Sequence, residues 1–384
     1  MYQYLKAQKA NLILGAVILL IVIALAVMNA YWPAGYVMYE TDGISYDSGV
    51  VVDVRSESVE PQSYDSNRYL GTQVLAIHMR TGFYKGQVLE IQNDLSTTHN
   101  IFAHKGDTLI VKVDRPENAE PYFSIYNFDR KTGLILIIAL FAGLMIVIGR
   151  RKGFKSVLGL AFTLYFIVMF LLPMLYHGRS PILYCLVTVL VTVPVCLLLV
   201  SGFSKKTLVA AAATILGVVV AILTFALFSV VLHIRGYNLE EAEDLLLIAQ
   251  DTGLKVSSLL FVGVVIASLG AVIDMTMSIT TSLFEMKRLH PALSAKEIFA
   301  SGMAIGSDMV GTMCETLVLA FTGTSITTLL VLIAYGVQVD QLLSSDYIAI
   351  EVAHAITGSV AVVLSVPITA WLAAGFSREM KKPR

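Results

Sequence analysis

Asp274, Asp308 and Glu315 stand inside long apolar runs of the sequence. Carboxylates are costly in lipid, and where they occur they face a bundle interior or water and mark ion pathways or proton relays. The stretch GSDMVGTMCETLVLAFTGTS, residues 306–325, carries two of the three, together with the hydroxyls of Thr312, Thr322, Thr324 and Ser325. Asp308 and Glu315 are seven residues apart, so a helix places them on nearly one face, ~10 Å apart in height. Such groups can titrate or coordinate, which suits H+ or Na+ as a coupling ion and calls for no resident cofactor. Glu351 and His354 form a second polar pair, spaced i, i+3 and able to touch on a helix.

Four glycines punctuate the same region. Gly302 and Gly306 make a GxxxG pair that permits close helix approach. Gly311 follows Asp308, and Gly323 sits among Thr322, Thr324 and Ser325. From Asp308 to Ala334 the run would be ~40 Å long if fully helical, more than the bilayer core. Its Thr-Gly-Thr-Ser stretch is where a membrane helix could unwind and offer carbonyls and hydroxyls to an ion or polar solute. A continuous tilted helix with small residues for packing is the other reading of those residues. Structural readings also stand beside the chemical ones. Asp308 can be a helix N-cap at the interface, Asp274 a hydrogen-bond partner of nearby hydroxyls, and Glu351 with His354 an interfacial pair.

The elements that must position these groups follow from composition. The chain has 384 residues, 56% hydrophobic and 14% charged, with a net charge of −1. That is too apolar for a soluble domain, and its balance of charge suggests no nucleic-acid partner. The lipid bilayer is the expected surrounding. Eight apolar segments stand out, at about 11–30, 133–149, 156–173, 181–200, 207–232, 257–282, 308–334 and 350–374. Fifteen of the 27 Lys and Arg lie at one set of segment ends, among them Arg150, Arg151, Lys205, Lys206, Lys287, Arg288 and Arg378; the short loops opposite hold Arg179, Arg235 and Lys255. Positive residues gather on the cytoplasmic side, which puts both termini there and gives eight spans.

With that topology, Asp274 lies ~25 Å down the sixth span and Asp308 at the inner start of the seventh, so the two share a depth. The expectation is that all three carboxylates meet in a protected, hydrated interior near the cytosol. Pro173, Pro194 and Pro367 offer kinks. The first segment is longer than a signal-peptide core and has no clean cleavage site, so a retained anchor, residues 1–35, is expected. Tyr31, Trp32 and Tyr36 suit the outer interface and Trp371 the inner one.

Residues 36–130 change character. Short, partly alternating runs at 49–55, 72–80, 86–93 and 106–115, with glycine turns between them, predict an extracytoplasmic all-β domain: a five- or six-stranded barrel of OB or SH3 type inserted between helices 1 and 2. The fold class is thus an all-α membrane bundle of eight helices with a small β barrel, the other seven helices lying in 131–384. His78, His99 and His104 are scattered without metal-ligand spacing. Cys185 and Cys196 lie ~16 Å apart along one helix and cannot bridge. Residues 236–255 read as an outer helix opening on Glu240, Glu241, Glu243 and Asp244, and Ser294-Ala-Lys-Glu297 as a capping box that starts a short inner helix before the seventh span.

ASLGAVIDMTMSI (267–279), SGMAIGSDMVGTMCETLVLAFTG (301–323), KGFKSVLGL (152–160) and LLPMLYHGRSPIL (171–183) together resemble the YibE/F-like family of bacterial membrane proteins. TGFYKGQVLEIQN (81–93) with HKGDTLIVKV (104–113) resembles that family's extracytoplasmic module. The resemblance implies a multi-pass protein of the bacterial cytoplasmic membrane, and places Asp274, Asp308, Gly311 and Thr312 on motif positions. The family usually reads Thr-Asn-Thr-Leu where this chain has Cys314-Glu315-Thr316-Leu317. It implies no substrate and no activity.

Three function classes follow. An ion-coupled transporter of an unknown small solute rests on the intramembrane carboxylates. No Walker A motif is present, so ATP would not drive it within this chain. An envelope scaffold or accessory subunit would act through the β-domain on a protein partner. An intramembrane aspartyl enzyme would use Asp274 and Asp308 as a dyad, although GSD lacks the second glycine of the GxGD pattern. The sequence leaves the oligomeric state open.

Overall fold

The structure, a computed structural model, describes residues 2–31, 43–62, 65–117, 119–235 and 242–377. Trp32, Tyr36, Glu240, Glu241 and Arg378 fall outside the described residues. Residue contacts divide the chain into two units, Val37–Leu144 and Met1–Tyr36 with Met145–Arg384.

The first unit is a curled antiparallel sheet. Its strands are β1 (Ile44–Gln62), β2 (Asp65–Met79), β3 (Val88–Leu95), β4 (Thr108–Asp114) and β5 (Tyr122–Phe128), in the order β3-β2-β1-β4-β5. Alternation along a strand sends every second side chain inward. In β4 these are Leu109, Val111 and Val113, which pack with Leu75, Ile77 and Met79 of β2. Each such burial stabilises by about 1.5–3 kcal/mol before the entropy of ordering is set against it. Register shifts in β1 between Val51 and Asp53 and between Val54 and Ser56 bend the strand. The edge strands β3 and β5 consequently approach each other. Gly71 has φ +127°, and a Cβ there would collide with the Ser58 carbonyl. Only glycine fits such a position. Strand β5, YFSIYNF, lacks the glycine-bounded alternation that marked the others.

Asp129 ties the last strand to the helix that follows. Its carboxylate accepts from the Ser48 hydroxyl at 2.8 Å and from the Lys131 amide at 3.1 Å. The Ser48 bond, then the Lys131 amide and charge, hold its pKa below the ordinary carboxylate value. A depressed folded-state value stabilises above the unfolded one and is lost on acidification through it. Scanning calorimetry of the full chain should therefore find Asp129→Ala less stable than the wild type at pH 7. The gap is expected to narrow as the pH falls through the ordinary carboxylate value and to close only below the depressed folded-state value. A gap independent of pH would assign the bond no electrostatic part.

The second unit is helical. Its elements begin with α1 (Tyr2–Tyr31) and most of α2 (Lys131–Phe166), then a π turn (Ile167–Leu171) and α3 (Leu172–Tyr176). They continue with α4 (Pro181–Ser201), α5 (Lys205–Val231), α6 (Ala242–Thr252), α7 (Leu259–Leu289), α8 (Ala295–Ala334), α9 (Val339–Leu343) and α10 (Asp346–Ser377). Among the described residues, seven helical stretches are long and apolar enough to cross a membrane. The stretch Lys131–Tyr176 is 46 residues long and breaks at Arg150, where φ is 50° and ψ −129°. Gly153 lies against the Met145 carbonyl. Residues eight apart on a straight helix would be ~12 Å apart, so the chain turns back at Arg150. Apolar segments 133–149 and 156–173 lie on either side of that break. Pro194 and Pro367 sit inside continuous α4 and α10.

Helix α10 is the hub, packing on α8, α5 and α7. Small residues let the backbones close up. A Cβ on Gly217 of α5 would come within 2.7 Å of Val272 on α7 and 3.5 Å of Ser365 on α10. Deep in the same core the hydroxyls of Thr214 and Thr276 meet at 2.7 Å. Neither side chain therefore leaves its polar group unpaired.

Candidate functional site

The seventh span and the inner helix before it are one element. Helix α8 runs unbroken for 40 residues from the Ser294 cap. The capping box is formed, each of its residues satisfying a backbone donor of the other. Ser294 Oγ accepts from the Glu297 amide at 3.2 Å, and Glu297 Oε2 accepts from the Ser294 amide at 2.7 Å. Two expectations are corrected by this continuity. Asp308 is not an N-cap, since it stands ~20 Å along the helix from Ala295. Nor does the helix open at Gly323. The Thr322 hydroxyl donates to the Val318 carbonyl at 2.8 Å, Thr324 to Phe321 at 2.8 Å and Ser325 to Phe321 at 3.0 Å. Hydroxyls satisfied by the preceding turn need no unwound backbone.

One face of α8 is packed. Gly302 and Gly306 lie against Ala370 and Val366 of α10, and a Cβ on Gly302 would stand 2.7 Å from the Ala370 Cβ. Met309, Val310, Met313 and Leu317 continue that face into the core. With about 100° of turn per residue, the opposite face carries Asp308, Gly311, Thr312, Glu315 and Thr322, all exposed. Nothing lies within 4 Å of where a side chain on Gly311 or Gly323 would begin. Asp274 is likewise exposed on the side of α7 away from the buried Val272, Met275 and Ile279. Among the described residues none of the three carboxylates has a hydrogen-bond partner; Thr312 and Thr316 donate only to the carbonyls of Met309 and Thr312, at 3.0 and 2.8 Å. The expected enclosed meeting of Asp274, Asp308 and Glu315 is therefore not found within one chain. All three stand on outward faces of neighbouring helices. The reason is that α8 spends its glycine pair, not its acidic stripe, on its neighbours.

The sequence reading missed a second exposed stripe, on α7. Gly263, Ala267, Gly270 and Asp274 recur every three or four residues and are exposed. That period of small residues ending in an acid was the available signal.

Glu351 and His354 take a different place. His354 lies between Phe225 and Phe321, with ring centroids 5.7 and 5.8 Å away. Glu351 Oε2, His354 Nε2 and Thr357 Oγ1 are buried with no partner among the described residues. No group of three or more His, Cys, Asp or Glu among the described residues could hold a metal ion.

Long apolar helices with a small antiparallel sheet on the N-terminal side are the make-up of a multi-pass membrane protein. The profile of the YibE/F-like protein family matches residues 137–379, and the chain belongs to that family. The match begins within α2 and leaves out the sheet, so it does not reach 81–93 or 104–113. A search of the curated proteins found no match, and neither did a search of the solved structures.

Proposed function

We propose that this protein is a permease that couples H+ or Na+ movement to a small solute, with Asp274, Asp308 and Glu315 along the conducting face. The observation that carries the reading is their unpartnered exposure on apolar helices. Lipid cannot solvate a carboxylate, so water or protein must cover that face. Thr312 and Thr322 add hydroxyls on that face and Thr324 is exposed a little further along, whereas Ser325, expected in the site, is buried and lies off it. Eight crossings of a bacterial cytoplasmic membrane, with cytoplasmic termini and the sheet outside, fit the distribution of Lys and Arg. The strand order, with β3 near β5, suits a partly open barrel of OB type.

Purified protein in liposomes, assayed with an entrapped pH dye and with radioactive Na+, should collapse an imposed gradient. Asp274→Asn and Asp308→Asn are each expected to slow it more than about tenfold, the cost of losing ~1.4 kcal/mol of ion binding. Flux unchanged in both variants would remove the aspartates from the mechanism.

An envelope scaffold acting through the sheet is the second reading. The exposed aromatics Phe83, Tyr122 and Tyr126 favour it, and Tyr126 meets Tyr46 edge-on at 4.9 Å. Exposed aromatic side chains are common anchors of protein contacts. Deleting residues 43–128 would then abolish function while the asparagine variants are tolerated.

A further inference from the structure

We infer that the outward face of α7 and α8 is the contact between two copies of this chain. The inference rests on the reading of that face as membrane-embedded, but not on transport. Three features of the face select a second copy as its occupant.

The first is that the face is complementary to itself. It carries acceptors, the carboxylates of Asp274, Asp308 and Glu315, and donors, the hydroxyls of Thr312, Thr316 and Thr322. Within one chain these never meet, because the three hydroxyls donate to backbone carbonyls of their own helix. A rotation of about 120° about the Cα–Cβ bond frees each to point outward. Two copies inserted the same way round relate by a two-fold axis along the membrane normal, so each stripe faces its own duplicate. Thr316 on one copy then stands level with Glu315 on the other, and Thr312 about one turn from both Asp308 and Glu315, while Thr322 lies two turns beyond Glu315.

The second feature is shape. Gly263 and Gly270 on α7 and Gly311 and Gly323 on α8 have open space where a side chain would be. On α7, Gly263, Ala267 and Gly270 recur every three or four residues, a spacing that lets helix backbones approach closely, and close approach is what drives association in lipid, where apolar surface gains nothing by leaving it. The GxxxG pair that serves this purpose inside the chain is already seated on α10.

The third is area. The stripe from Asp308 to Leu330 is ~33 Å long and ~10 Å wide. With the neighbouring stripe of α7 each copy would cover ~600–700 Å², so ~1,300 Å² in all, within the range of stable specific interfaces. The two-fold also brings Glu315 near Glu315. An uncharged Glu315→Gln can exchange amide hydrogen bonds with its duplicate there, and a longer, positively charged Glu315→Lys cannot.

The test is cross-linking in native membranes, in a chain whose Cys185, Cys196 and Cys314 are replaced by alanine. Gly311→Cys and Leu319→Cys on the stripe should each give a disulfide-linked species of twice the chain mass on mild oxidation. Leu223→Cys and Leu227→Cys, exposed on α5, should not. Mass photometry of the wild-type chain in nanodiscs covers the case in which a cysteine variant fails to fold. It should find two chains per disc, with Glu315→Gln unchanged and Glu315→Lys shifted to one. One chain per disc, equal cross-linking at all four positions, or a cross-link to a protein of different sequence would each overturn the inference. Two chains per disc together with no ion flux in liposomes would leave it standing and remove the permease; one chain per disc together with ion flux in liposomes would do the reverse.

Discussion

Gly306→Leu is expected to unseat α8 from α10 and leave little folded protein. Even the first carbon of a side chain at this position would overlap Val366, and the three carbons beyond it have nowhere to go. Overpacking by a methylene or two costs about 1–3 kcal/mol, and a full leucine against a backbone-close contact exceeds that range. The neighbour cannot yield cheaply, since Val366 is only 2% exposed in the middle of α10. Being β-branched, it also has little rotamer freedom on a helix. The control is Gly375 on α10. Gly375→Leu meets nothing within 4 Å and is expected to melt within a few degrees of the wild type in detergent. Thermal unfolding of the two purified variants settles the comparison, and equal stability would mean that α8 and α10 do not pack through Gly306.

Gln73→Ala should be nearly as damaging in the sheet. Gln73 is fully buried, and its amide holds the loop before β4. Nε2 donates to the Ala103 carbonyl at 3.1 Å and to Glu57 at 3.0 Å, while Oε1 accepts from the Ala103 amide at 3.0 Å. Asn93 joins the cluster by donating to the Ile101 carbonyl at 2.7 Å and to Gln73 Oε1 at 3.3 Å. Truncation strands the amide and carbonyl of Ala103 in an apolar core. Each buried polar group left unpaired costs about 1–3 kcal/mol, so the loss is expected at ~3–5 kcal/mol. Gln73→Glu keeps the shape but replaces the donor and buries a charge, so it should not rescue. Chemical denaturation followed through near-ultraviolet circular dichroism of the tyrosines would measure both.

Much of the helical layout was legible because apolar length is a strong signal. The segments at 181–200, 207–232, 257–282 and 350–374 each correspond to one helix. The capping box at Ser294 was equally plain, being a local pattern with a local cause. What could not be read was where α8 would stop being one helix, because hydroxyls and glycine can either open a helix or bond within it. The choice falls to neighbours distant in sequence, here Val366 and Ala370. The facing of the carboxylates was hidden for the same reason. Period alone puts Asp308 and Glu315 together but does not say whether their side or that of Gly302 and Gly306 meets the bundle. Gln73 was invisible as a core residue, since nothing local distinguishes a buried glutamine from a surface one.

Helix α8 has 40 residues. At ideal rise it is ~60 Å long, about twice the hydrocarbon thickness it would cross. Its first turn, with Lys296 and Glu297, can stand outside the lipid, but the ~40 Å from Asp308 to Ala334 still exceeds the hydrocarbon, and such mismatch is relieved by tilting at a modest cost per ångström. Because its acidic stripe is fixed to the same rod, lipid chain length would set how deep those acids sit. Reconstitution in short-chain and long-chain phosphatidylcholines would thus act on this protein as a graded mechanical variable, with no change to its residues.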